Sequence, residues 1–186
     1  MADSSLFTLN LVTPERVLVS GPATEVVLRT GDGDITFLAG HTPLVGTVQA
    51  GVVRVVRAEG DEERVAVHGG FVQVEQGVTD EDGPETSGTR VTLLIGVAEL
   101  AEEIDVDRAR AALDAAESRL ADVGGAGGRT GAGGAGAGGE TVEPDAELLE
   151  AQAELLRAQV RLETVDATSG AAAGSGAAAG STTAAG

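Results

Sequence analysis

Three observations predict a β-sandwich N-terminal domain followed by a C-terminal antiparallel α-helical hairpin, an α+β chain in two parts. Short runs rich in β-branched residues, broken by Gly-rich turns, fill residues 6–97. After residue 104 the apolar spacing changes from alternation to steps of three and four. That second pattern then occurs twice, with a connector between the copies.

The β-rich runs are Leu6–Val12, Val17–Val19, Glu25–Thr30, Ile35–Leu38, Val52–Ala58, Arg64–His68, Phe71–Glu75 and Val91–Val97. Turn signals separate them at Gly21-Pro22, Gly31-Asp32-Gly33, Gly60-Asp61, Gly69-Gly70 and Gly83-Pro84. Alternation, as in Phe71-Val72-Gln73-Val74, leaves one face apolar and the other wet. Many short strands at this spacing imply a sandwich or small barrel over residues 1–97.

The helical part is expected over residues 98–165. Asp105 is a good N-cap for the first helix. Val106, Ala109, Leu113, Ala116, Leu120 and Val123 then form a heptad seam. Leu148, Ala151, Leu155, Ala158, Leu162 and Val165 repeat its spacing. Both seams alternate Leu or Val with Ala, so each contact buries little and the hairpin is barely self-sufficient. The connector 124–139 holds ten Gly among sixteen residues and is expected to be flexible. The tail 166–186 is almost entirely Ala, Gly, Ser and Thr, and is expected to be disordered.

The chain has 186 residues and a formal charge of −18, which argues against nucleic acid or an anionic lipid surface as a partner. All twelve basic residues are Arg. Without Lys there is no Schiff-base chemistry and no phosphate-loop lysine. Without Cys there is no thiolate nucleophile, disulfide or cysteine zinc site, and two His are too few for most His metal sites. No apolar run approaches the roughly 20 residues of a membrane helix. The opening residues MADSSLF lack a basic stretch, so no signal peptide is expected.

Generic motifs mostly fail. Gly131-x-Gly133-x-x-Gly136 lies in a Gly/Ala tract with no strand before it, which removes the dinucleotide-site reading. Asp32-Gly33-Asp34 lacks the remaining ligands of a calcium loop and reads as a tight turn. His68 reads as a satisfied structural histidine, since no Ser and Asp arrangement accompanies it. The acid pairs lack the apolar setting that raises a catalytic carboxyl pKa. No catalytic or metal residue is therefore assigned, and no enzyme activity is expected.

The segment from Gly31 to Val45, GDGDITFLAGHTPLV, closely resembles the signature of the ε subunit of F-type ATP synthases. Gly51-Val52-Val53-Arg54-Val55, Val67-His68-Gly69-Gly70-Phe71-Val72-Gln73-Val74 and Ala98-Glu99-Leu100-Ala101-Glu102-Glu103-Ile104-Asp105 follow in the order of that family. The resemblance covers residues 6–123 and resumes at about 145–165. It implies a non-catalytic rotor subunit of the central stalk, bound to the γ subunit and the c-subunit ring. It implies coupling of proton translocation to ATP synthesis, at the cytoplasmic face of the cell membrane as a peripheral part of the complex. Asp34 and His41 would belong to the loop region facing the c ring. The family usually has Glu where this chain has Asp34, which keeps the charge and shortens the reach. The alternative from another class is a free-standing acidic β-sandwich binding module with a disordered tail.

The resemblance also implies regulation. The family's hairpin either folds on the sandwich or extends along γ to the catalytic α and β subunits, where it inhibits ATP hydrolysis. Some members bind regulatory ATP on the folded hairpin; no other cofactor is implied. Ile104, Asp105, Arg108 and Ala109 match the family's (I/L)-D-x-x-R-A motif. Glu99 matches its preceding acidic position, and Arg157 and Arg161 match its second-helix arginines. Arg157 and Arg161, four apart, share a helix face off the seam, and folding would bring them toward Arg108. Three guanidiniums suit a triphosphate.

The chain departs from the family at Thr79–Gly88, at the connector and at the tail. A connector near twenty residues instead of about six is almost two doublings of loop length. Closing the hairpin is then expected to be weaker by about 1 kcal/mol.

Overall fold

The computed structural model describes residues 5–78, 86–127 and 146–175. Seven strands come first: β1 (Phe7–Val12), β2 (Val17–Thr30), β3 (Gly33–Phe37), β4 (Leu44–Arg57), β5 (Glu62–Glu75), β6 (Arg90–Ile95) and β7 (Ala98–Leu100). A 3-10 turn at Ala101–Glu103 leads into α1 (Val106–Gly127) and α2 (Ala146–Ser175).

The sheet runs β1-β6-β5-β4-β2-β3, and β1 also pairs with β2. The β-part therefore closes on itself, with β3 outside the closure as an edge strand on β2 and β7 paired to β5. All pairs are antiparallel except β1–β6. The expected alternation appears as burial: in β1, Phe7, Leu9 and Leu11 are fully buried while Thr8, Asn10 and Val12 are half-buried. Phe37, Leu28 and Leu93 join the same core. Each such side chain contributes about 1.5–3 kcal/mol of transfer free energy.

Two expected turns are corners within long strands. Gly21-Pro22 lies inside β2, just before that strand passes from β1 to β4 with a register shift between Ala23 and Glu25. Gly69-Gly70 lies inside β5, between Val65–Val67 paired to β7 and Gly70–Glu75 paired to β6. Glycine marks both because a strand serving two sheets must bend sharply there. At Gly69 φ is 102°, a region that side chains avoid. At Gly70 a Cβ would strike the carbonyl oxygen of Leu94 on β6. Gly31-Asp32-Gly33 and Gly60-Asp61 are true hairpin turns; Thr30 Oγ1 donates to the Gly33 carbonyl at 2.9 Å, and Arg57 N donates to that of Asp61 at 2.8 Å.

Both seams of the hairpin are inward. In α1, Ala109 and Ala116 are buried and Val106, Leu113, Leu120 and Val123 half-buried; in α2, Ala151 and Ala158 are buried and Leu148, Leu155, Leu162 and Val165 half-buried. Asp105 caps α1 through its Oδ1, which accepts from Arg108 N at 3.0 Å. Ala109 packs near Val160, while Arg119 pairs with Glu154 at 2.6 Å, so the helices run antiparallel.

The helices run past their expected ends. α1 continues to Gly127 and α2 to Ser175, into stretches read as connector and tail. The extension of α2 is rich in Ala, the best helix former, and a helix already nucleated propagates at little cost. The rest of the connector and tail, the Gly131–Gly136 match and Gly83-Pro84 lie outside the described residues.

Replacing Gly70 by Ala should lower global stability by about 3 kcal/mol, because β5 and β6 cannot separate without losing their ladder. At Gly46 a new Cβ would meet Val72 Cγ1 at an ordinary 3.6 Å. Gly46→Ala should therefore change stability by less than about 1 kcal/mol. Urea unfolding of the two variants measures the contrast.

Candidate functional site

The second half of α2 lies on β4 and β5. Val160, off the seam, is buried in a small cluster with Ala66 of β5, Ile104 and Ala109. Ala50, Leu162 and Val165 border it. The residues are small, so the helix approaches the sheet closely but buries little apolar area.

Beside this cluster a groove of about 820 Å³ opens between β7, the 3-10 turn, α1 and α2. Glu99, Asp105, Arg108, Ala109 and Arg161 line it, so five of the seven residues expected to bind ATP meet in one place. Ile104 supports the groove from the apolar cluster. Arg157 is not among its lining residues. It is exposed, and its Nε donates to the Ala153 carbonyl one turn back at 3.1 Å. The expected trio of guanidiniums is thus a pair at the groove, with Arg157 outside it.

Arg161 is engaged. Its Nε donates to Glu99 Oε1 at 2.8 Å and Oε2 at 3.1 Å, and its Nη2 donates to Oε1 at 2.5 Å. Such a forked contact ties α2 to β7. The Arg161 hydrogen bonds hold the Glu99 carboxyl below its ordinary range, against the opposing effect of partial burial. Arg108 has no ion-pair partner among the described residues, and its guanidinium is the one free cation of the pair.

Three further residues, none of them expected at a site, belong to this region. Arg16, in the β1–β2 loop, donates through Nη2 to both Glu103 oxygens, at 2.7 and 2.5 Å. Glu103 Oε2 also accepts from Leu100 N at 3.3 Å, which fixes the 3-10 turn at the groove's floor. His68 corrects an expectation: neither ring nitrogen has a hydrogen-bond partner, although its side chain is only 5% exposed. Its Nε2 stands 3.7 Å from Glu99 Oε1, too far to bond because both Glu99 oxygens are turned to Arg161.

The other expected site lies along β3. Asp34 near its start accepts from Arg29 Nε at 2.9 Å and is well exposed. That hydrogen bond draws the Asp34 carboxyl below its usual range. His41 follows the other end of β3, so three strand steps, about 10 Å, separate Asp34 from Phe37 before the loop begins. The loop is held in shape. Gln76 Nε2 donates to the carbonyls of Gly40 (2.9 Å) and His41 (2.7 Å), and Gly40 N donates to Thr89 Oγ1 at 2.9 Å. His41 Nδ1 donates to the Thr42 carbonyl at 2.8 Å, and its ring meets the buried Phe37 edge-on at 4.8 Å. Gln76 and Thr89 lie far along the chain, and no local pattern pointed to them.

An apolar face was also missed. Val45, Phe71 and Leu94 are 73%, 57% and 49% exposed. Phe71 stands opposite both Thr47 and Leu94, so the three share the outer face of β4-β5-β6.

Residues 6–79 match the family described as ATP synthase, Delta/Epsilon chain, beta-sandwich domain. The ATP synthase epsilon chain of Thermobifida fusca is 46% identical over 119 residues, covering 63% of this chain and 79% of that one. The chain belongs to the ATP synthase epsilon chain family. The epsilon chain of Streptomyces griseus is 41% identical over 122 residues (62% of this chain, 89% of that one), and that of Brevibacillus brevis 42% over 117 (62% and 79%). A chain in the cryo-EM structure of the Euglena gracilis mitochondrial ATP synthase, OSCP/F1/c-ring in rotational state 1, shares the fold. It is 20% identical at a TM-score of 0.54, with 90% of this chain and 82% of that one covered.

In this epsilon-family chain the Glu99–Arg161 pair is the polar part of the hairpin's attachment. Arg161→Ala should weaken attachment of α2 by about 2 kcal/mol, the worth of hydrogen bonds to a charged group. The core of the β-part should keep its stability. Glu99 has a depressed pKa, so its contribution is complete above its ordinary value of about 4.5 and is lost as pH falls through the lowered one. Amide exchange of α2 against that of β6, in Arg161→Ala and across pH 6 to 3, checks both statements.

Proposed function

We propose that this chain is a non-catalytic rotor subunit of an F-type ATP synthase, coupling proton translocation to ATP synthesis at the foot of the central stalk. Membership of the epsilon family supports the placement, and the closed β-part with its hairpin gives the matching architecture. The described helices include none long and apolar enough to cross a membrane, in keeping with a peripheral subunit at the cytoplasmic face. No step of bond chemistry is assigned to it.

The γ subunit takes the outer face bearing Val45, Phe71 and Leu94. A contiguous exposed apolar surface of this kind marks an interaction site. The c ring takes the β3 edge, where Asp34 stays exposed and the His41 loop is rigid. Both contacts hold the sandwich to the rotor and leave α1 and α2 free to move.

The hairpin regulates hydrolysis. Docked, as here, it is held by four small apolar residues and one forked ion pair. Undocked, it reaches the α and β subunits and blocks hydrolysis. Regulatory ATP favours the docked form by filling the groove. Arg108 is already open to a phosphate, and Asp105 and Glu99 offer acceptors for the base or ribose. Arg161 joins by exchanging Glu99 for phosphate. The groove, which gathers the motif residues from β7, α1 and α2 only when the hairpin is docked, carries this reading.

Titrating ATP into the full chain by calorimetry should show saturable binding, weakened by about 1.5–3 kcal/mol in Arg108→Ala. Absence of saturable heat up to several millimolar would exclude the nucleotide site. Phe71→Asp should weaken co-purification with γ by at least about 2 kcal/mol, the loss expected for a central aromatic anchor. Unchanged recovery of γ would move its contact to another face.

A further inference from the structure

His68 is the one histidine at the join between hairpin and sandwich; the chain's other histidine, His41, sits in the loop after β3. Its backbone holds it there. The His68 N–H donates to the Val97 carbonyl at 3.1 Å, and Ala50 of β4 stands opposite it in register. The ring lies under α2, 5% exposed, with no hydrogen bond at either nitrogen. An imidazole so placed is tolerated when neutral. Charged, it would surrender water and gain only the Glu99 carboxylate, 3.7 Å away and already bonded to Arg161.

Every charged group that faces it bears on this. β7 contributes Glu99, whose Oε1 is 3.7 Å from Nε2 and whose two oxygens are both taken by Arg161. α2 contributes Arg161 and Arg157, both cationic. β4 contributes only the uncharged Ala50 at this register. A proton on His68 therefore makes a third positive charge around a single carboxylate that is already bonded.

We infer that His68 is a proton-sensitive latch: protonating it loosens α2 from the sandwich and favours the extended hairpin. The inference rests on the docked geometry and requires no nucleotide. The sign follows from where the proton binds better. Burial, Arg161 and Arg157 together depress His68 in the docked form, with Glu99 opposing them. Undocked and hydrated, it returns to about 6.5. The undocked form then carries more protons once pH falls below about 6.5, and docking weakens as the medium becomes more acid. A single linked proton can shift the docking equilibrium by at most about tenfold between pH 7.5 and 5.5. Glu99 does not contribute in that window, because its own pKa is depressed below the ordinary carboxylate value.

The test uses the full chain. The imidazole carbon resonances of both histidines are followed by NMR from pH 8 to 5. Protection factors, which remove the intrinsic pH dependence of exchange, are measured for α2 amides from Val160 to Thr164. Amides of β6 serve as the reference. Expected are a His68 midpoint below about 6.5 and a loss of α2 protection of up to about tenfold between pH 7.5 and 5.5, with β6 unchanged. His68→Gln should leave α2 protection flat over that range. A His68 midpoint at or above 6.5, or an equal loss of protection in His68→Gln, overturns the inference. Should His68→Gln fail to fold, His68→Asn takes its place and the wild-type midpoint still decides.

Discussion

The approach of α2 to the sheet is limited by what can be buried there. Val160 meets Ala66, Ile104 and Ala109, and small side chains bring backbones close while yielding little transfer free energy. Polar contacts must supply the rest. Arg161 and Glu99 do so with a forked hydrogen bond, which also directs where the helix sits. Because that one pair ties α2 to β7, the groove and the enclosure of His68 both depend on it. An attachment built this way rests on few contacts, so the loss of any one of them weighs heavily.

The β-part follows a different logic. Two of its three 14-residue strands, β2 and β5, bend at glycine-marked corners, and the sheet closes from β2 back to β1. Closure removes most strand edges and gives an apolar core, with Phe7, Phe37 and Leu9 fully buried. A scaffold of that kind is stabilised by its own core and owes little to the hairpin. It holds two surfaces in fixed relation, the apolar outer face around Phe71 and the β3 edge around Asp34. The contrast between the two parts is thus one of core size.

Electrostatics tighten the same division. In a chain of charge −18 whose basic residues are all Arg, three arginines serve as ties: Arg16 to Glu103, Arg119 to Glu154, Arg161 to Glu99. Each links segments far apart in sequence. Arg29 links β2 to Asp34 of β3 and also feels Glu163 of α2, so the β3 edge and the hairpin share a charge neighbourhood. Arg108 faces the groove with no ion pair among the described residues.

Much of this was legible in the residue order, for physical reasons that operate locally. Alternation in β1 and the three-four spacing of α1 and α2 are imposed by backbone geometry, so the buried sets appear in the sequence itself. The N-cap at Asp105 and the turns at Gly31-Asp32-Gly33 and Gly60-Asp61 are likewise local. So is the motif from Ile104 to Ala109. What the sequence could not show arises between segments. Gly69-Gly70 has the composition of a turn; only the presence of β6 and β7 on either side makes it a corner. Val160 looks like an irregularity beside a seam until the sheet supplies it a partner. The split of Arg161 from Arg157, one bound and one outside the groove, depends on where β7 places Glu99 beside α2. His68 reads as an ordinary strand histidine in sequence. Its isolation from any hydrogen bond follows from Arg161 having taken Glu99, a competition that exists only once the hairpin has folded onto the sandwich.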